Sequence, residues 1–146
     1  MIQCRQMQKE DLEIVSKIEQ NIFSMPWSKT AFAESLANQN TLYIVATKEE
    51  TVVGYCGIYI SFQEGNISNV AVNPKYRRQH VAEEMLTYLL EAVRKRGVTS
   101  VVLEVRKTNV GAIALYEKLG FKEMGVRKDF YEKPREDALI MWKNLV

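Results

Sequence analysis

Glu104 and Tyr116 are the two residues whose types and spacing could move protons on one substrate. Glu104 stands in a run of apolar residues, where burial of an ionised carboxylate is costly. Tyr116 follows on a predicted helix that begins soon after that strand. In an open α/β sheet, ligands bind beyond the carboxyl ends of the strands, beside the turns that lead into helices. The spacing therefore predicts that Glu104, a candidate general base, and Tyr116 can converge on one crevice.

Each of these side chains also has a purely structural interpretation. Glu104 can lie at the end of its strand and pair with Arg106 or with solvent. Tyr116 can be a core aromatic whose hydroxyl is satisfied, and Trp27 can be either a lid over a pocket or an ordinary core residue. The residues alone leave these alternatives open.

The stretch from Asn69 to Ala82 has the pattern of a strand, a proline stop, a basic turn and the start of a long helix. Such a turn presents unpaired backbone N–H groups and the positive end of the helix dipole, which suits a phosphate. Many similar turns carry Arg or Lys and bind nothing. A ligand site and an ordinary turn are therefore both compatible with this stretch.

The first half of the chain supplies a strand, two helices and an antiparallel meander. Apolar residues at helical spacing predict the first helix, and Ser28 is the predicted cap of the second. β-Branched and aromatic runs separated by charged or glycine-containing turns predict the meander. In order, these elements span Ile2 to Met7, Lys9 to Phe23, a short helix after Ser28, Thr41 to Ala46, Val52 to Phe62 and Asn66 to Val72.

The second half begins with a βαβ unit. A broad apolar stripe predicts a helix from about Gln79 to Arg96, and the nearly continuous apolar run from Thr99 to Arg106 predicts a strand buried on both faces. A shorter helix follows, with Asn109 as its cap and Gly120 at its end. Two final strands are expected near Phe121 to Arg127 and Ala138 to Asn144, separated by an irregular polar and aromatic loop from Asp129 to Asp137.

The composition indicates the class of protein but does not identify a binding partner. The 146 residues, 47% of them hydrophobic, predict one soluble globular domain over residues 1–146. The net charge of +2 gives no global argument for nucleic acid. Cys4 and Cys56 lack metal-ligand spacing, and no apolar run suggests a signal peptide or a membrane span, so a cytoplasmic protein without a metal site or membrane contact is expected.

Two segments of the chain resemble the GCN5-related N-acetyltransferases (GNAT). Arg77 to Ala82 stands where that superfamily has Q/R-x-x-G-x-G/A, and Leu103 to Lys122 is very similar to the segment that follows. Pro26-Trp27-Ser28 and Arg135-Glu136-Asp137-Ala138 resemble the ribosomal-protein alanine N-acetyltransferase (RimI) family. The resemblance implies the GNAT fold, an α/β (α+β) architecture. It has a mixed, mostly antiparallel sheet of about seven strands, about four helices and a βαβ core that binds acetyl-CoA.

The resemblance also implies roles for individual residues. Glu104 would be the proton acceptor and Tyr116 the proton donor in a direct transfer that needs no metal. The residues implied in acetyl-CoA binding are Val70, Ala71 and Val72 along the pantetheine arm, Arg77, Arg78, Gln79, His80, Val81, Ala82 and Glu83 around the pyrophosphate, and Asn109 near the thiol. The acceptor would lie near Trp27, Tyr131 and Asp137. It is expected to be the N-terminal alanine of a small-subunit ribosomal protein, bound by a monomer without direct contact to nucleic acid.

His80 is the one departure from the motif, because it replaces the first motif glycine. Glycine there allows close approach of the backbone or a positive φ. Histidine tolerates the left-handed region better than most side chains, and its N–H could reach a phosphate. It is the only histidine in the chain, yet no orienting partner suggests catalysis. A small-molecule amine acetyltransferase, or a non-catalytic acyl-CoA sensor or ribosome-binding module, is the alternative function.

Overall fold

The computed structural model describes residues 1–146 and contains one sheet of seven strands with four α-helices. The strands are β1 (Ile2–Gln6), β2 (Thr41–Lys48), β3 (Thr51–Ser61), β4 (Glu64–Val72), β5 (Ser100–Arg106), β6 (Lys122–Glu132) and β7 (Arg135–Asn144). The helices are α1 (Leu12–Ile22), α2 (Lys29–Ala37), α3 (Val81–Lys95) and α4 (Val110–Lys118). The predicted numbers of strands and helices are confirmed.

The strand order is β1-β2-β3-β4-β5-β7-β6, and only β4 and β5 pair in parallel. Strands β2 to β4 form the predicted meander. Helix α3 connects the two parallel strands, since a parallel pair needs a long crossover. The predicted βαβ unit therefore lies in the middle of the sheet.

Helices cover both faces of the sheet, because strand side chains alternate between the two faces. On one face the apolar stripe of α3, including Met85, Leu86 and Leu89, packs into the larger core. On the other face α1 and α2 pack over a smaller core that contains Phe32 and Tyr55. None of the helices combines the length and apolar composition that a membrane span requires.

Ser28 caps α2 as predicted, and its Oγ accepts a hydrogen bond from Ala31 N at 3.1 Å. Ser28→Ala is expected to lower the free energy of unfolding by about 1 kcal/mol, since it leaves this N–H without its acceptor. Urea denaturation measures the change. Ser28→Asp is the matched control, because aspartate is an equally good cap. An equal loss of stability in both variants would contradict the capping explanation.

Strand β5 is not buried on both faces as predicted. Val101, Leu103 and Val105 are buried in the larger core, whereas Val102 and Glu104 on the opposite face are only half-buried. The prediction is wrong because helices cover one face of β5, while Glu104 borders an open cleft.

The segment from Asp129 to Asp137 is not an irregular loop. It is the end of a hairpin in which β6 and β7 are joined by Lys133-Pro134, with a cis peptide bond between those two residues. The pairing is irregular between Arg127 and Tyr131, where Asp129 has a φ of 52°. Polar residues suit this hairpin because β6 is an exposed edge strand, so the polar composition did not exclude strands.

Candidate active site

The cleft lies where the two parallel strands stop pairing. Residues Glu64–Ile67 of β4 pair with Ser100–Leu103 of β5, and the ladder ends there although both strands continue. An irregularity between β3 and β4 coincides with this end, because Gly57 pairs with Asn69 but the next pair skips Ser68. The bulge leaves the last part of β4 paired with β3 alone. A cleft of about 680 Å³ opens between the two strand ends.

Glu104 lines this cleft and pairs with an arginine on β6. Its Oε1 accepts a hydrogen bond from Arg127 Nη1 at 3.3 Å, and 17% of its side chain is exposed. The interpretation that pairs Glu104 with Arg106 is wrong, because Arg106 Nη1 donates to Glu136 Oε1 at 3.2 Å. The Glu104 carboxylate is therefore accessible from the cleft and held by a half-exposed cation.

Tyr116 places its ring in the core and its hydroxyl at the cleft. The ring packs against Phe121 at a centroid distance of 5.8 Å, and the residue is 7% exposed. The hydroxyl has no hydrogen-bond partner in the protein. Every fully buried side-chain nitrogen or oxygen atom does have a partner, so the Tyr116 oxygen must keep some exposed surface, and this surface faces the cleft. Burial raises the pKa of Tyr116 far above its usual value. The hydroxyl is therefore a protonated donor at neutral pH, and it is not satisfied by the protein.

The basic turn before α3 presents a run of unpaired N–H groups. Arg78 and His80 adopt left-handed conformations, with φ of 64° and 62°. The N–H groups from Arg78 to Glu83 donate to no protein acceptor, and the first to do so is Glu84 N, which donates to His80 O at 3.1 Å. These groups and the positive helix end form a suitable site for a phosphate.

His80 contributes its backbone conformation more than its side chain. The imidazole is 77% exposed, its Nδ1 lies 3.6 Å from Glu83 Oε1, and it does not line the cleft. The predicted tolerance of histidine for the left-handed region agrees with the observed φ. The geometry gives this histidine no place in the cleft that Glu104 and Tyr116 line.

Only some of the predicted cofactor residues line the cleft. Val70 and Asn109 line the cleft together with Glu104 and Tyr116. Asn109 also caps α4, since its Oδ1 accepts from Ala112 N at 3.2 Å. The predicted residues that do not line the cleft are Ala71, Val72, Arg77, Arg78, Gln79, His80, Val81, Ala82 and Glu83.

Some side chains of the basic turn before α3 are already engaged within the protein. Val81 is 2% exposed and packs in the larger core, so only its backbone faces the turn. Gln79 Oε1 accepts from Lys48 Nζ at 2.8 Å, and Glu83 Oε1 accepts from Lys118 Nζ at 2.9 Å. A ligand at this turn would therefore meet backbone N–H groups and the two arginines.

The predicted acceptor residues are only partly brought together. Trp27 and Tyr131 line the cleft, and Trp27 also packs on Phe32 at a centroid distance of 5.3 Å, so it both borders the cleft and packs in the core. Asp137 does not line the cleft. Its Oδ1 accepts from Asp129 N at 2.9 Å, which fixes the irregular part of β6.

One hydrogen bond joins two elements that line the cleft, the segment between α1 and α2 and the β6–β7 hairpin. Ser24 Oγ, in the segment between α1 and α2, donates to Lys133 O at the end of the β6–β7 hairpin. Arg106 supports the same turn, because its guanidinium donates to Lys133 O and Pro134 O and lies 4.3 Å from the centre of the Tyr131 ring. These contacts join the segment between α1 and α2 to the β6–β7 hairpin, and residues of both line the cleft.

Sequence analysis did not identify Arg127, which pairs with Glu104, or Glu19, which lines the cleft. Arg127 gave no signal, because its contact with Glu104 crosses from β6 to β5. Glu19 did give a sequence signal, because it is a charged residue on the helix face that carries the apolar residues Leu12, Val15 and Ile18. It is 2% exposed, lines the cleft, and accepts hydrogen bonds from Tyr55 Oη and from Trp27 N.

The chain is similar in sequence to known acetyltransferases. The acetyltransferase (GNAT) family model matches residues 12–121. A Bacillus subtilis (strain 168) relative is 39% identical over 139 residues, which cover 94% of this chain and 92% of the relative. The Escherichia coli (strain K12) [ribosomal protein bS18]-alanine N-acetyltransferase is 37% identical over 139 residues, 92% of each chain.

The fold of a solved structure agrees with these sequence matches. The crystal structure of the ribosomal-protein-S18-alanine N-acetyltransferase from Escherichia coli superposes with a TM-score of 0.91 at 34% identity, covering 99% of this chain and 94% of that one. The resemblance inferred from the two motif segments is thereby confirmed, as is the GNAT architecture of the sheet. The chain belongs to the acetyltransferase (GNAT) family and is an N-acetyltransferase.

Proposed function

We propose that this enzyme transfers the acetyl group of acetyl-CoA to the N-terminal α-amine of a protein, and that the acceptor is the N-terminal alanine of a small-subunit ribosomal protein. The observation that carries this proposal is the cleft at the end of the parallel ladder, which Glu104 and Tyr116 both line. The acceptor class rests on relatives of this chain that are described as bS18-alanine N-acetyltransferases.

The residues present fit acetyl-CoA at two points. The end of β4, including Val70, has a free strand edge on the cleft side, which can hydrogen-bond to the amides of a pantetheine arm. The unpaired N–H groups from Arg78 to Glu83 can donate hydrogen bonds to the oxygens of the pyrophosphate. Acetyl-CoA, when bound, supplies an activated acetyl thioester. The turn and the strand edge together would orient that thioester toward Glu104.

Glu104 and Tyr116 take the two proton transfers. An α-amine has a pKa of about 7.7 to 8, so a carboxylate needs to remove only one proton, directly or through a water. Glu104 is accessible from the cleft for that task. The Tyr116 hydroxyl, protonated and free of protein partners, can donate to the departing sulfur. Neither step requires a covalent enzyme intermediate.

An acceptor would enter between the α1–α2 segment and the β6–β7 hairpin. Trp27 belongs to the first of these elements and Tyr131 to the second, and the hydrogen bond from Ser24 to Lys133 joins the two. An extended N-terminus can fit between these two elements more readily than a folded surface can. The cytoplasm, where ribosomal proteins are found, is the proposed location, and the monomer is the proposed active unit.

A peptide panel tests this function. The protein is incubated with acetyl-CoA and N-terminal peptides that begin with alanine or other residues, and mass spectrometry locates the acetyl group. We expect acetylation at the α-amine of alanine-initiated peptides. Peptides with a blocked N-terminus and free lysines serve as the matched control, and small polyamines test the alternative acceptor class. Acetylation of lysine side chains or polyamines alone would overturn the proposal.

Substitutions at His80 test how the turn binds acetyl-CoA. His80→Gly retains the left-handed conformation, so its Kd for acetyl-CoA is expected to stay within about threefold of the wild type. His80→Val places a β-branched residue in that region at a cost of about 1–2 kcal/mol, and we expect about tenfold weaker binding. Isothermal titration calorimetry measures both values. If glycine weakens binding as much as valine, the imidazole itself contacts the cosubstrate.

A further inference from the structure

Glu19 is a buried carboxylate that the proposed chemistry does not use. It occupies the apolar face of α1 beside Val15 and Ile18, and only 2% of its surface is exposed. Burying a charge costs free energy unless its oxygens are hydrogen-bonded. No lysine or arginine lies within ion-pair distance of it, so neutral donors must compensate its charge. A side chain retained at this cost calls for a specific role.

Both oxygens of Glu19 accept a hydrogen bond, one from a residue of the smaller core and one from a residue of the cleft. Tyr55 Oη donates to Oε1, and Trp27 N donates to Oε2 at 3.0 Å. Burial, together with the contact to Glu19, raises the pKa of the Tyr55 hydroxyl, which keeps it a donor. The carboxylate therefore connects β3, the end of α1 and the backbone of the segment that follows α1.

That segment, Phe23 to Ser28, has no regular secondary structure and forms one side of the cleft. Apart from Ser28, which accepts hydrogen bonds from Ala31 N and Phe32 N at the start of α2, its polar links to the rest of the protein are few. Phe23 N donates to Glu19 O at the end of α1, Ser24 Oγ donates to Lys133 O, and Trp27 N donates to the Glu19 side chain. Glu19 thus binds the segment twice, because its backbone carbonyl accepts from Phe23 N and its side chain accepts from Trp27 N.

We propose that Glu19 is a positioning residue for the acceptor, which fixes Trp27 and the segment Phe23 to Ser28 as the wall against which the acceptor N-terminus lies. It acts through Trp27 and does not touch the reacting atoms. This inference rests on the proposed function, because it assigns the wall to the acceptor and not to acetyl-CoA. A loss of the wall should therefore weaken acceptor binding selectively.

Two substitutions of similar volume separate the hydrogen bonds from the packing. Glu19→Gln can still accept from Trp27 N and donate to the Tyr55 oxygen. Glu19→Met fills the same space without an acceptor, and replacing a buried charge by an apolar residue of similar size often preserves the fold. Glu13→Ala is the control on the same helix, since Glu13 is exposed and pairs only with Lys29.

Steady-state kinetics with an alanine-initiated peptide provides the first measurement. Glu19→Met is expected to raise the KM for the peptide about tenfold while the KM for acetyl-CoA stays within about twofold. Glu19→Gln and Glu13→Ala should stay close to the wild type in both. An equal rise in the two KM values, or a Gln variant as impaired as the Met variant, would overturn the positioning role.

Trp27 fluorescence provides a measurement that does not depend on the acceptor. Trp142 is the only other tryptophan and does not line the cleft, so a Trp142→Phe background isolates Trp27. The acrylamide quenching constant of Trp27 is expected to rise about twofold in Glu19→Met and to stay unchanged in Glu19→Gln. An unchanged constant in Glu19→Met would overturn the inference. If the wild type acetylates no N-terminal peptide, the proposed function fails, and this quenching comparison alone decides the role of Glu19.

Discussion

Glu104→Gln is expected to lower kcat by about 10²- to 10⁴-fold, the range that removal of a general base produces. The amide keeps the size and the hydrogen-bonding oxygen of the carboxylate but cannot accept the amine proton. The fold should tolerate the change, because the partner Arg127 is 54% exposed and solvent can replace the lost charge. Steady-state assays with the peptide acceptor measure kcat, and calorimetry measures acetyl-CoA affinity.

The controls for Glu104→Gln separate chemistry from binding. Acetyl-CoA affinity should remain within about threefold of the wild type, since the carboxylate is assigned to the amine and not to the cosubstrate. Glu91→Gln is the matched control, because Glu91 lies on α3, is half-exposed and pairs only with Arg94. A Glu104→Gln enzyme with wild-type turnover would show that another group accepts the proton.

Tyr116→Phe is expected to lower kcat by about 10²-fold or more through the loss of the proton donor. Its burial raises the pKa of the hydroxyl, so the wild-type donor stays protonated across neutral and moderately alkaline pH. A free thiol has a pKa of about 8.5, so complete transfer to a free thiolate would be unfavourable. The hydroxyl would therefore act as charge develops on the sulfur, first as a hydrogen-bond donor.

The stability of Tyr116→Phe gives an internal control. The ring contact with Phe121 is retained, and the hydroxyl has no protein partner to lose, so the melting temperature should not fall. Tyr88→Phe, on the exposed side of α3, is the matched substitution at a distance from the cleft. Loss of turnover together with loss of stability, or no loss of turnover at all, would contradict the assigned role. The wild-type pH profile should also show no alkaline decline attributable to Tyr116 near neutral pH.

Local patterns predicted the elements that carry the proposed chemistry. The caps at Ser28 and Asn109 depend on residues within three positions along the chain, and both are observed. Gly120 has the expected positive φ of 98°. The sequence could predict that Glu104 and Tyr116 face one cleft, because a strand end and the helix that follows it lie at the same edge of the sheet.

Features that depend on distant partners could not be predicted. The end of the β4–β5 ladder follows from the bulge at Ser68, which the alternating pattern of β4 does not reveal. The hairpin after Arg127 was mistaken for a loop because an edge strand exposed to solvent has the composition of a loop. The contact from Arg127 to Glu104 depends on the register of β7 between them.

The early end of the parallel ladder has a mechanical consequence. Residues Glu64–Ile67 provide four pairs between β4 and β5, compared with eight between β3 and β4 and seven between β5 and β7. The sheet therefore consists of two well-bonded halves joined by a short ladder. A change in the angle between these halves would widen or narrow the space beside Val70 without breaking either half. Amide hydrogen exchange along Glu64–Ile67 would report how stable that short ladder is.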